Sequence, residues 1–599
     1  MSQVKRTYRS SQLINPFGPG AIIEIGDESL ILADTSNWPN NLASIKLDRL
    51  AKEAGVWSLK KPPVITRKTD SVSKFNALAT IRFPQWMFCP RCRKMDKWTL
   101  DEGKRNQDEV PVCSNSTCQN KVLVPMRFVA ACNHGHLQDV PWEFWTHKLG
   151  KQCDRPDLYF KSNPQKGSGL DALYIECKNP ECKAQNSLKE LLGKSAFKGT
   201  KCNDSQPGKY TAERNCLENL QVLQRGASNL YYPIVRSAMD IPYDEISLGS
   251  EIYNLIKESE YFPLLQKAII NNKLNSIDRC ATEISEEFNI AKEEILKACK
   301  SKEKEQRIFK IPRDSDLRVA EWEVLSSEDI EGKQTTTFKA KVCNWESFET
   351  FGFEKVLKRV VLLNKLREVR AFCGFERITP DGHIVQPESS LNTISSWLPA
   401  TEVYGEGIFL EFNQDNILSW EQQLPEIIRK RINNLKKNHA SAPSTYLPVP
   451  EPKLLILHTL AHLLIRQLSF ESGYSSGSLR ERIYASENQA GLLIYTADGD
   501  SEGSLGGLVQ QGEVNRLFPA ILAALETANW CSNDPVCSEM EAQGVMGLNK
   551  AACHSCTLVS ETSCEYNNLL LDRKLLIGDE NYLGFFSEIL AHAQEVCSS

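Results

Sequence analysis

Leu454-Leu455-Ile456-Leu457-His458-Thr459-Leu460-Ala461-His462-Leu463-Leu464-Ile465, which follows Pro452, is nearly apolar on every face of a helix. A helix of that kind belongs inside a layered domain. Gly491-Leu492-Leu493-Ile494-Tyr495-Thr496 then has the length and apolarity of a buried strand, followed by the Gly-rich acidic loop Asp498-Gly499-Asp500-Ser501-Glu502-Gly503-Ser504-Leu505-Gly506-Gly507-Leu508. Helix, strand, loop and helix in that order predict an α/β core.

Downstream, Cys531, Cys537, Cys553, Cys556 and Cys564 surround Ala551-Ala552-Cys553-His554-Ser555-Cys556. A Cys-x2-Cys turn presents two thiolates, and loop-sized returns bring two more, which is what tetrahedral zinc requires. Four ligands suffice, so one of the five is spare, and Cys531 is the expected one. A disulfide scaffold is the alternative, but Met1-Ser2-Gln3-Val4-Lys5-Arg6-Thr7-Tyr8 has no apolar stretch resembling a signal peptide. The expectation is a reducing, cytoplasmic interior.

The chain has 599 residues, a formal net charge of −5 and 20 cysteines. Its length exceeds one core, and no apolar run is long enough to span a membrane. The charge balance carries no global signature of nucleic-acid binding, so any DNA contact must be a local patch. The cysteines concentrate between Cys89 and Cys216 and between Cys531 and Cys564. Expected segments are a β-rich 1–85, a cysteine-rich 86–245, a helical insertion 246–345, a mixed α/β core with basic helices at 346–450, and 451–599. The fold class is multidomain α/β, with zinc-ribbon-like modules in the N-terminal half and a structural zinc site in the C-terminal domain.

In the second segment, Cys89-Pro90-Arg91-Cys92 and Cys113-x4-Cys118 have the layout of a zinc ribbon. Cys177-x4-Cys182 with Cys202 and Cys216 offers a second four-thiolate set. Between them lie Cys132, His134, His136, His147 and Cys153, whose role in metal binding spacing leaves open. Two or three structural zinc ions are expected. Asn15-Pro16-Phe17-Gly18-Pro19-Gly20 reads as a turn before the strand Ala21-Ile22-Ile23-Glu24-Ile25.

Lys355, Lys358, Arg359, Lys365, Arg367 and Arg370 recur at roughly helical spacing, and Arg429-Lys430-Arg431 follows with Lys436 and Lys437. Clustered cations supply nucleic-acid affinity, so Lys358, Arg359, Arg367, Arg370, Arg429, Lys430 and Arg431 are the candidate DNA contacts. Solvated faces of amphipathic helices are the plainer reading of the same residues.

Catalytic motifs fail one requirement each. Gly193-Lys194-Ser195 resembles the end of a P-loop, but Leu188 stands where the opening glycine is needed. His458 and His462 share a helical face as in zinc peptidases, but Thr459 occupies the position of the general base. A metal-dependent nuclease or hydrolase built from His458, His462 and Asp498 to Glu502 is the enzymatic alternative.

Taken in order, His458-Thr459-Leu460-Ala461-His462, Gly491 to Thr496, Gly503-Ser504-Leu505-Gly506-Gly507, Ala552-Cys553-His554-Ser555-Cys556, Cys564-Glu565 and Leu571-Asp572-Arg573 resemble the MrfA-type zinc-binding domain of certain repair helicases. Arg9-Ser10-Ser11-Gln12, Phe17-Gly18-Pro19-Gly20, Gly135-His136-Leu137 and Arg225-Gly226-Ala227-Ser228-Asn229 resemble the DrmB family, which carries that domain in the DISARM anti-phage system. The resemblance implies a non-catalytic subunit that partners a superfamily 2 helicase, DrmA, the pair engaging DNA as the core of the defence system; as a separate expectation, the basic surfaces join the helicase in a channel for DNA with a single-stranded portion. It also implies that four cysteines hold zinc, with Cys537, Cys553, Cys556 and Cys564 best matching those positions.

Overall fold

A computed structural model describes residues 9–598 apart from 64–77, 106–109, 149–152, 210–214, 244–254, 257–258, 271–272, 304–307, 347, 381, 393–394, 443–446 and 497–506. Two long neighbouring strands, Leu357–Glu376 and Trp397–Phe412, run antiparallel through its centre. Along one edge of the first lie Tyr232–Met239 and Phe338–Val342, end after end. Beyond the second lie Gly491–Thr496 and then Leu479–Tyr484, while Ser58–Lys60 runs parallel to its start and pairs in turn with Ser44–Ile45. This eight-stranded sheet takes strands from all five segments expected from the sequence.

The basic stretch predicted as helical is therefore mostly strand; only Phe353–Val356 is helical there. The apolar residues have period two: Val360 and Leu362 enter the core on one face, Val361 and Leu363 the core on the other. Burial on both faces favours a strand of β-branched and leucine residues, and it overrides the coincidental spacing of the cations. The second basic run does lie on a helix, Glu426–Ser441.

Pro452–Ser472 is the predicted buried helix, opened by proline in its first turn and closed by Gly473 at φ 75°. Every residue from Lys453 to Ile465 is buried. One side faces the sheet through Leu479, Ile483, Leu492 and Ile494, and the rest is covered by helices including Val514–Thr527 and Lys574–Ile577. Truncating a leucine in such a core costs about 2–5 kcal/mol. Across the sheet, the helix Asp314–Leu325 covers Phe409, Tyr484, Leu493 and Tyr495.

That second face is held by a buried ionic network. Arg482 meets both carboxylate oxygens of Glu321, at 2.6 and 2.7 Å, and Glu368 at 3.0 Å. Tyr484 donates to Glu321 and Tyr495 to Glu368, each at 3.1 Å. Burial works against ionisation of Glu321, but Arg482, Arg318 and Arg49 outweigh it and hold its carboxyl down at about 2.

Among the described residues, four three-stranded sheets lie in the N-terminal half, including Trp86–Phe88 with Met95–Lys97 and Val124–Pro125, and Leu158–Ser162 with Leu173–Cys177 and Gln185–Ser187. Buried Arg377 joins this half to the long strand. Its guanidinium donates to the carbonyls of Gly135, Leu230 and Gly20 at 2.9, 2.7 and 2.9 Å. The Gly18-Pro19-Gly20 turn packs on the protein itself: a Cβ at Gly18 would lie 2.6 Å from Phe372, and one at Gly20, where φ is +84°, 2.7 Å from Phe375. The segment 246–306 contributes helices Phe262–Ile270, Leu274–Phe288 and Lys292–Glu303 around a small core of their own. Among the described residues, no helix is long and apolar enough to cross a membrane.

Candidate metal centres

Cys89 and Cys92 sit on the turn between the antiparallel strands Trp86–Phe88 and Met95–Lys97, and Cys113 and Cys118 return to face them. Arg93, at φ +68°, lets the chain leave the knuckle tightly. All four sulfurs lie within 4.8 Å of one another, with Cys92 and Cys113 3.7 Å apart. Tetrahedral zinc with Zn–S bonds of about 2.3 Å places its sulfurs roughly 3.8 Å apart, so the geometry fits the ion.

The next two groups differ from the expected set Cys177, Cys182, Cys202 and Cys216. Cys177 and Cys182 converge with His147 and Cys153, while Cys202 and Cys216 converge with Cys132 and His136. Topology is the reason: Cys177 ends a strand of one small sheet, whereas Cys132 immediately follows Phe128–Ala131 of another, near the chain around Cys202. His147 Nδ1 donates to the Glu143 carbonyl at 2.6 Å, which leaves the buried Nε2, unpartnered by any hydrogen bond, for the thiols. Fixing one ring nitrogen on a carbonyl is how a ligating histidine is oriented. His134 is not one of the four around Cys132: its Nδ1 lies 3.6 Å from Cys216 Sγ, and its ring is tilted by 42° against that of His383.

In the C-terminal domain, Cys531, Cys537, Cys553 and Cys556 converge, with Cys537 and Cys556 3.7 Å apart and Cys531 and Cys553 3.4 Å apart. This corrects the expected membership: Cys531 takes the place assigned to Cys564. The short helix Val536–Glu539 folds back so that both Cys531 and Cys537 face the Cys553 turn. Asp534 fixes the loop by accepting from the Cys531 amide at 2.7 Å and from buried Arg573. Cys564 instead lies 3.2 Å from His458 Nε2.

A common feature marks these knuckles. The amide two residues on donates to sulfur at Cys89, Cys113, Cys202 and Cys531, each at 3.4 Å. Such bonds favour thiolate. Burial opposes ionisation of Cys553, but hydrogen bonds from Asn533, Cys531 and the Ser555 and Cys556 amides bring it down to about 6. Cys89 falls to about 7 against its burial through the Cys92 and Arg91 amides. Among the described residues there are thus four cysteine-rich groups and one mixed group able to hold a metal ion, where spacing predicted two or three sites.

Most of the expected DNA contacts are committed inside the protein. Arg359 binds Glu411 at 2.6 Å, Arg367 binds Asp240 and Glu402 at 2.7 and 2.9 Å, and Arg370 binds Glu368 at 2.6 Å. Arg431 binds Asp572 at 2.6 Å, and the Arg429 guanidinium donates to the carbonyls of Leu424 and Gln422. The acidic partners of Arg359, Arg367 and Arg431 come from distant segments and could not be read from a local run, whereas Glu368 stands two residues from Arg370 on the same strand. Lys358, paired with Glu411 at 2.9 Å, keeps 64% of its side chain exposed, and Lys430 is exposed. Of the hydrolytic alternative, Asp498, Asp500 and Glu502 lie outside the described residues, and His458 and His462 are buried.

Fold and cysteine groups together define a multidomain α/β protein with zinc-ribbon-like modules. Residues 460–557 match the family described as the MrfA Zn-binding domain, and residues 9–232 match a domain of unknown function, DUF8724. The chain is 35% identical to the DISARM protein DrmB of Bacillus paralicheniformis over 94% of its own length and 99% of that protein's. It belongs to the DrmB family of DISARM proteins. Among solved structures, the DUF1998 helicase MrfA bound to DNA is 13% identical with a TM-score of 0.17, covering 33% of this chain and 22% of that one.

Proposed function

We propose that this chain is a non-catalytic, cytoplasmic subunit of a DISARM-type anti-phage complex, partnering a DrmA-like superfamily 2 helicase and helping it bind foreign DNA that has a single-stranded portion. The observation that carries this reading is the end-to-end similarity to a DISARM DrmB protein. The incomplete P-loop at Gly193-Lys194-Ser195 agrees with a motor supplied in trans.

Zinc fills the four cysteine-rich groups in this reading and replaces hydrophobic core in modules too small to hold one. DNA contact uses exposed cations such as Lys358 and Lys430 beside the helicase, and affinity falls steeply with added salt. Co-expression with the neighbouring genes tests the proposal. Co-purification with a helicase, DNA-stimulated ATPase activity of the pair and phage protection that needs both chains are expected. A chain that purifies alone and cleaves DNA with a divalent metal would overturn it in favour of the nuclease reading.

A further inference from the structure

The buried helix brings His458 and His462 to one face, four residues apart. That face meets the strand Leu479–Tyr484, whose alternation points Leu479, Glu481 and Ile483 to the helix and Arg482 and Tyr484 to the opposite face. Glu481 thus enters an apolar core opposite two imidazoles. Cys564 completes the set from a loop, and the four ligand atoms lie within 4.8 Å of one another.

Both imidazoles are oriented as ligands are. His458 Nδ1 donates to the Leu570 carbonyl at 3.2 Å and His462 Nδ1 to the Thr557 carbonyl at 3.1 Å, so both Nε2 atoms face the cluster. His458 Nε2 is 3.1 Å and His462 Nε2 3.5 Å from Glu481 Oε1. For metal–nitrogen and metal–oxygen bonds of about 2.0–2.2 Å, tetrahedral ligands sit roughly 3.4 Å apart. The Tyr566 and Asn568 amides donate to Cys564 Sγ at 3.3 and 3.2 Å, the first repeating the bond found at the cysteine knuckles.

Without an ion the cluster is costly. The three side chains of His458, His462 and Glu481 are 0% exposed, yet His462 Nε2 and Glu481 Oε2 have no hydrogen-bond partner. Unpaired buried polar atoms are rare because each forfeits its hydration. One divalent cation with two neutral imidazoles, one carboxylate and one thiolate sums to zero charge, which suits an apolar core. All four positions are protein ligands, and such closed sites are structural.

We propose that His458, His462, Glu481 and Cys564 hold a second metal ion in the C-terminal domain, a zinc-class divalent cation distinct from the one expected at Cys531, Cys537, Cys553 and Cys556. It ties the central helix, the strand Leu479–Tyr484 and the Cys564 loop together. Two of its ligands, His458 and Cys564, fall outside the matched zinc-binding domain. The loop is also fastened directly: the Glu565 amide donates to Glu481 Oε1 at 3.1 Å, and Glu565 Oε2 accepts from the Ile483 amide at 3.0 Å.

The test is metal content of the full-length protein by mass spectrometry, with His458→Gln/His462→Gln compared with Cys531→Ser. Each variant should lose one metal ion per chain, and their combination two. A folded double-histidine variant with unchanged metal content would overturn the proposal. Because that variant is at risk of misfolding, anomalous scattering at the zinc edge from wild-type crystals provides the second arm. A peak about 2.0–2.3 Å from each of the four ligand atoms is expected, and its absence beside a peak at the Cys553 knuckle would refute the site.

Discussion

Arg431 grips Asp572 with two parallel hydrogen bonds, Nε to Oδ2 at 2.6 Å and Nη2 to Oδ1 at 2.9 Å. The pair joins the helix Glu426–Ser441 to the chain that closes the C-terminal domain, and Asp572 is buried. Removing one partner of a buried pair costs about 3–5 kcal/mol. Arg431→Ala should therefore lower the thermal midpoint clearly, whereas Lys430→Glu, one residue away on the exposed face, should leave stability within about 0.5 kcal/mol. Salt-dependent DNA binding by the proposed complex with a helicase separates the two: loss confined to the lysine variant is the expected result, and intact binding there removes Lys430 from the proposed DNA contacts.

The two N-terminal groups make opposite predictions from the sequence pattern. If Cys177 and Cys202 served one ion, replacing both with serine would cost one metal per chain. In the structure they belong to different groups, so Cys177→Ser/Cys202→Ser should cost two, and Cys132→Ser/Cys202→Ser only one. Metal analysis of the purified full-length variants decides between the groupings.

Cys531 should matter where spacing made it spare. Cys531→Ser should leave the Cys553 knuckle without its metal ion in the purified protein, while a serine at Cys564 leaves that knuckle occupied. An occupied Cys553 knuckle in both variants would put Cys531 outside the coordination shell.

Arg377 should be intolerant of shortening. Its three carbonyl acceptors belong to Gly20, Gly135 and Leu230, and a methionine there leaves them without that donor. Loss of a few kcal/mol in denaturant unfolding is expected. Lysine should rescue only partly, since an ammonium cannot reproduce the planar fork.

Glu321 sets an acid limit. Its carboxyl is held at about 2 in the folded protein, below the ordinary value near 4.5, so it binds fewer protons folded than unfolded. Its stabilisation is complete above the unfolded value and is lost as pH falls from about 4.5 towards 2. Glu565, pushed up by burial, titrates with the opposite sign, so the comparison must be with Glu321→Gln. The wild type should lose its stability advantage over that variant, on the order of a few kcal/mol, across this window.

Much of the C-terminal domain was legible from local pattern. Length and unbroken apolarity identified the helix around His458 and the strand Gly491–Thr496, because a segment buried on all sides carries its environment in its own composition. The convergence of Cys89, Cys92, Cys113 and Cys118 was legible because the four lie close in sequence. The basic strand was misread because cations at spacings of three and four imitate a helix, while the decisive alternation lay in the valines and leucines. Pairing of Cys177 with His147 rather than Cys202 depends on long-range topology, which spacing does not encode. Glu481 did leave a trace: a lone carboxylate between Leu479 and Ile483 on an otherwise apolar face is the mark of a buried partner.

The fastening of Glu565 to Ile483 has a consequence for assembly. Leu479–Tyr484 is the last strand of its sheet, and such a border ordinarily offers its free amides to any extended peptide. Here the outward amide of Glu481 is taken by the Ser563 carbonyl and that of Ile483 by the Glu565 carboxylate. The border is sealed by the chain's own loop. An incoming strand finds the amides of Glu481 and Ile483 already bonded, so strand addition at this border is blocked.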